Sequence, residues 1–83
     1  MKYYTLVETI INDTDVYNTI DIQSREQLDI ISMFQARKDM LLKTKDVNVI
    51  VDTISDNYDW GFVRVVLSDG KQIELKLSMT QLV

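Results

Sequence analysis

The sequence predicts a small α+β domain: an antiparallel sheet of about five strands, in the order β-β-α-β-β-β, with one helix packed on one face. Three observations carry this expectation. Residues 62–79 alternate apolar and polar side chains in two runs separated by Ser68-Asp69-Gly70, the signature of a hairpin. Residues 24–43 place apolar residues at helical spacing. Two segments before them, Tyr3–Ile11 and Val16–Ile22, are rich in β-branched and aromatic residues and are divided by a turn. The whole length, residues 1–83, fits a single domain.

The first segment, Tyr3 to Ile11, is favoured as a strand, although Thr5-x-x-Glu8 also matches the start of a short helix. Asn12-Asp13-Thr14-Asp15 is a turn signal, because Asn and Asp bond their own backbone. Val16 to Ile22 follows as a second strand, with Val16, Ile20 and Ile22 on one face. The helix begins with Ser24 and Gln27, a capping box. Leu28, Ile31, Phe34, Leu41 and Leu42 share its broad apolar face. Lys38 falls inside that face, so its aliphatic stem must snorkel or the helix must end before it. Arg37, Lys38, Lys43 and Lys45 gather toward the C-terminal end, where cations suit the macrodipole.

The third strand spans 47–54, with Val47, Val49 and Val51 alternating against Asn48, Ile50 and Asp52. A polar loop, Ser55 to Gly61, leads to the fourth strand. The register of the last hairpin follows from its pattern. A two-residue Asp-Gly turn would set Val65 opposite Glu74 and mix apolar with charged residues on one face. A three-residue loop ending in a left-handed Gly70 pairs Val65 with Ile73 and Val63 with Leu75. It also sets Arg64 across from Glu74. A one-residue slip would flip every side chain, so the three-residue loop is expected.

Composition removes much chemistry. The chain has no His, no Cys and no Pro. It therefore lacks an imidazole for proton transfer near neutral pH, a thiolate nucleophile and the usual soft metal ligands. Two glycines cannot supply the glycine-rich phosphate cradles of nucleotide-binding motifs. No apolar run approaches the ~20 residues that span a bilayer. The opening segment is β-like and has no signal-peptide core, so a cytoplasmic location without membrane contact is expected.

Net charge is −4, which argues against direct nucleic-acid binding. The acidity lies in two segments. Residues 1–24 set Lys2 against Glu8, Asp13, Asp15 and Asp21; residues 46–60 hold Asp46, Asp52, Asp56 and Asp59 with no base. Residues 25–45 are net basic.

Asp13 with Asp15, and Asp56 with Asp59, resemble oxygen-only cation ligands, but the spacing of a calcium loop is missing. As solvated turn residues they are not expected to hold a metal or to act as an acid/base pair. No catalytic residue, cofactor or metal is expected. The most suggestive group is Tyr58 and Trp60 beside Asp56 and Asp59. Aromatic anchors with steering carboxylates suit a protein interface, whereas the alternative is that Trp60 closes the end of the core. Met33, Arg37 and Met40 form a second group on one helix edge, either a wide core face or a self-association patch.

The expected function is therefore a non-enzymatic protein-binding module. Its size and its Ile-, Asp-, Lys- and Asn-rich composition suit a phage or mobile-element protein that binds and inhibits a host protein in the host cytoplasm. The partner-binding residues would be Asp13, Asp15, Asp56, Tyr58, Asp59 and Trp60. A sharper version is DNA mimicry, in which the carboxylates replace phosphates toward a nucleic-acid-binding partner. The alternative is a self-assembling structural protein, a homodimer formed through a sheet edge or through Met33 and Met40.

Overall fold

The computed structural model describes residues 1–82. The chain runs β1 (Lys2–Asn12), β2 (Asp15–Ser24), α1 (Gln27–Leu42), β3 (Asn48–Ile54), β4 (Gly61–Val66) and β5 (Gln72–Gln81). The strands form one antiparallel sheet in the spatial order β2-β1-β5-β4-β3. The expected class and element order are therefore found. The two long strands β1 and β5 pair at the centre, from Lys2↔Gln81 to Ile11↔Gln72.

Period-two alternation gives the sheet two unlike faces. Tyr4, Leu6 and Glu8 of β1, Val63 and Val65 of β4, and Ile73, Leu75 and Leu77 of β5 all turn toward α1 and are buried. Ile30, Phe34 and Leu41 meet them from the helix. The opposite face carries Thr5, Val7, Thr9, Phe62, Arg64, Gln72, Glu74 and Lys76, with no covering element among the described residues. The β4–β5 register is the expected one: Val65 faces Ile73, Val63 faces Leu75 and Arg64 faces Glu74. Gly70 ends that turn in the left-handed region at φ 88°, where a side chain is disfavoured.

The helix departs from expectation at its start. Ser24 closes β2 rather than capping α1, and its hydroxyl accepts the Glu26 N–H at 3.0 Å. The buried stripe is Ile30–Phe34–Leu41, while Leu28 is 77% exposed. Phe34 sets this rotation. Its ring lies against the backbone at Gly61, so Ile30 and Leu41 fall on the same stripe and Leu28 is carried past the edge. Lys38 does remain helical. Its Nζ reaches Asp52 Oδ1 of β3 at 2.8 Å.

Both edge strands contain a β-bulge, and neither was visible as a break in the apolar pattern. In β2 the register passes from Glu8↔Ile20 to Thr9↔Asn18, leaving Thr19 extra. Val16 is thereby turned to the helix-free face, so it does not share a side with Ile20 and Ile22. In β3 the extra residue is Ile50. It swings Val51 opposite Arg64 on the outer face and brings Asp52 inward, where Lys38 neutralises it.

One buried acid remains. Glu8 is completely inaccessible, and both its carboxylate oxygens accept hydrogen bonds from Arg37, one of them from Nη2 at 2.7 Å. This forked contact ties the middle of α1 to the middle of β1. The Glu8 hydrogen bond is the main cause that raises the Arg37 pKa above its ordinary value, against an opposing effect of burial. A cation whose folded pKa is raised contributes its full stabilisation below the unfolded pKa. The Arg37 contribution is therefore fully present at neutral pH and fades only at extreme alkaline pH, as pH rises through the raised Arg37 pKa.

Two glycine substitutions test this packing. A Cβ on Gly61 would sit 3.0 Å from the Phe34 ring and 3.3 Å from Ile54, inside a core with no slack. Gly61→Ala should lower unfolding free energy by about 1–2 kcal/mol in urea titration. Gly70→Ala has open space but the wrong φ, and should cost about 1 kcal/mol through backbone strain alone.

Candidate functional site

The β3–β4 loop is held by a few short polar side chains. Ser55 N–H bonds the Trp60 carbonyl at 2.9 Å, and Tyr58 N–H bonds the Ser55 carbonyl at 3.0 Å. Ser55 Oγ accepts the N–H groups of Asp59 and Trp60 at 3.0 and 3.1 Å. The same hydroxyl donates to Asn57 Oδ1, and Asn57 Nδ2 donates to Asp59 Oδ2, each at 3.0 Å. The loop is therefore cross-braced from within. It is also pinned to the helix start, because Gln27 Nε2 donates to the Asn57 carbonyl at 3.1 Å.

That frame displays its aromatics. Trp60 is 51% exposed and Tyr58 is 42% exposed; neither belongs to the buried core. Trp60 thus does not close the end of the core as the alternative reading expected. Tyr58 adopts φ 59°, a left-handed conformation uncommon for a bulky residue. Leu28 is exposed one position beyond Gln27, on the helix turn that braces the loop. Asp56 is exposed, and Asp59 is half-buried against Asn57.

The other acidic pair lies elsewhere. The β1–β2 turn, with Asp13 at φ 55°, follows Ile11, which is level with Gln72 and Val66. The β3–β4 loop precedes Gly61, which is level with Leu77 and Leu6. Five strand residues, or about 17 Å, separate those levels. Asp13 and Asp15 therefore occupy the opposite end of the sheet from Asp56, Tyr58, Asp59 and Trp60. They share that end with the β4–β5 turn and with the α1–β3 connection, which bear Lys71, Lys43 and Lys45.

Met33 and Met40 are 39% and 61% exposed on the helix flank that Arg37 occupies. Arg37 itself is committed to Glu8, with its Nη1 4.0 Å from Met40 Sδ. Of the expected self-association group, the methionines are free and the cation is not. Sequence reasoning missed the Glu8–Arg37 pair. Its signal was present: Glu8 continues the apolar series Tyr4, Leu6 on the buried face of β1, and a helix cation at the right level has to meet it. Among the described residues there is no ligand-sized cavity, no cluster of three or more potential metal ligands and no helix long and apolar enough to cross a membrane.

The braces and the strained tyrosine make separable predictions. Ser55→Ala removes the acceptor for two N–H groups and should cost about 1 kcal/mol, with faster amide exchange at Asp59 and Trp60. Tyr58→Gly relieves the left-handed strain while giving up little burial, and should leave unfolding free energy unchanged or raise it by about 0.5 kcal/mol.

Compared with known protein families, curated proteins and solved structures, the chain matches none.

Proposed function

We propose that the protein is a non-enzymatic binding module that engages a partner protein through the β3–β4 loop, with Trp60 and Tyr58 as anchors and Asp56 and Asp59 as steering charges. One observation carries this reading: a half-exposed Trp and a strained, exposed Tyr stand on a loop that is already rigid in the free protein. Ordering a loop on binding costs affinity, and these braces remove that cost beforehand. Trp and Tyr anchors supply large contact area with few rotatable bonds. Strain retained at an exposed aromatic is characteristic of functional positions, since relieving it would be simple.

The partner fits a protein with a basic rim around an apolar pocket, because the loop carries two Asp residues and no base. A host protein inhibited in the cytoplasm by a phage or mobile-element product remains the biological setting this reading suits. DNA mimicry is the weaker form of it. A phosphate-like row needs carboxylates along one surface, and Asp13 and Asp15 sit at the far end of the sheet from Asp56 and Asp59.

Affinity capture from bacterial lysate, read by mass spectrometry, tests the proposal. A specific partner captured by wild type and by Asp13→Asn/Asp15→Asn, but lost with Trp60→Ala and reduced with Tyr58→Gly, is the expected result. Equal capture by wild type and Trp60→Ala would remove the loop from the interface. Truncating a central Trp anchor should weaken binding by about 2 kcal/mol or more, roughly thirtyfold or greater in Kd.

A further inference from the structure

The sheet ends at β2, and α1 packs across β2, β1 and β5. Arg37 reaches across to Glu8 of β1, and Lys38 reaches the other way to Asp52 of β3. The Arg37 flank of α1 therefore faces the β1–β2 side. Met33, four residues before Arg37, and Met40, three residues after, lie on that flank and are exposed. Among the described residues β2 alone lies beyond β1 on that side, and its outer edge has no strand partner. Its outward N–H and C=O groups are a template for one more strand. Tyr17 on β2 is also exposed, on the same sheet face as the helix.

We infer that the open edge of β2 accepts an extended polypeptide segment in which apolar residues alternate with Lys or Arg, added as a sixth strand beside β2. Its apolar side chains turn to the helix side and fill the space beneath Met33 and Met40, beside Tyr17. Its basic side chains turn to the opposite face, where Asp21 lies on the level of Val7. Residues 13–24 contain three acids and no base, and Asp13, Asp15 and Asp21 make no ion pair among the described residues. Arg25, the first base after β2, is folded back on Tyr3, with its guanidinium 5.4 Å from the ring centroid. The lysines that follow α1 lead to β3, on the far edge of the sheet. The Thr19 bulge divides the edge into two runs, Asp15–Asn18 and Ile20–Ser24, and the second presents Asp21.

A second copy of the chain fits this edge poorly. A second copy would set the same acidic, base-free strand against itself, with no complementary charge to meet Asp13, Asp15 or Asp21. The surface is distinct from the β3–β4 loop and does not depend on the function proposed for that loop.

The test is amide NMR of the whole protein titrated with a short peptide of alternating Lys and Val, and with its Glu–Val counterpart. The expected result is saturable shifts confined to β2 and the Met33–Met40 flank, with the Lys peptide only, weakened by added salt. Asp21→Lys and Met40→Glu should each weaken binding about tenfold or more, and Trp60→Ala should leave it unchanged. Absence of binding, shifts centred on residues 55–60, equal binding of the Glu peptide, or indifference to Asp21→Lys would each overturn the inference. Self-association of the free chain through β2 in sedimentation would overturn it as well.

Discussion

The buried contact between Glu8 and Arg37 is the constraint around which the two layers are arranged. A carboxylate that no water reaches must be met, and the only layer above it is the helix. Arg37 meets it with two parallel hydrogen bonds, which fix the distance of α1 from β1 and its position along the strand. Apolar contacts alone would tolerate sliding between the layers. The forked contact does not. Phe34 against Gly61 then sets the rotation of the helix, and Lys38 against Asp52 ties its opposite flank. With expected total stability of about 4–12 kcal/mol for a chain this size, one such contact is a substantial fraction of the whole.

The strands were largely legible because period-two alternation survives in β1, β4 and β5, and because Gly70 leaves a single sensible hairpin register. The edges were less legible. A bulge shifts the alternation by one residue without leaving a sequence mark at Thr19 or Ile50. That is why Val16 and Val51 changed faces. The helix phase was misread at its first turn, where Leu28 looked like core and Ile30 did the burying. Periodicity gives a stripe, but its exact rotation comes from a tertiary contact, here the Phe34 ring on a glycine.

The candidate site was legible in residue type and not in placement. Tyr58 and Trp60 stood out by type, readable as interface anchors or, for Trp60, as a cap on the core, and both are exposed. The Ser55 and Asn57 braces, and the left-handed tyrosine, depend on loop geometry that no short motif announces. The acidic residues were grouped by sequence, but antiparallel pairing sends the two groups to opposite ends of β1 and β4. The two surfaces that emerge have different chemistry. One is a rigid aromatic loop, and the other is an acidic strand edge under two methionines.

A double-mutant cycle on Glu8 and Arg37 tests the central constraint most directly. Arg37→Met alone leaves a buried, unpaired carboxylate and should cost about 2–3 kcal/mol in urea unfolding, less than for a fully buried pair because Arg37 remains 32% exposed. Adding Glu8→Met should restore most of that loss, for a coupling of about 1.5 kcal/mol or more, while helix-to-sheet contacts loosen in amide exchange at Arg37 and its neighbours. A single-mutant cost below about 0.5 kcal/mol with negligible coupling would show that the layers are held by apolar packing alone, and would contradict the account.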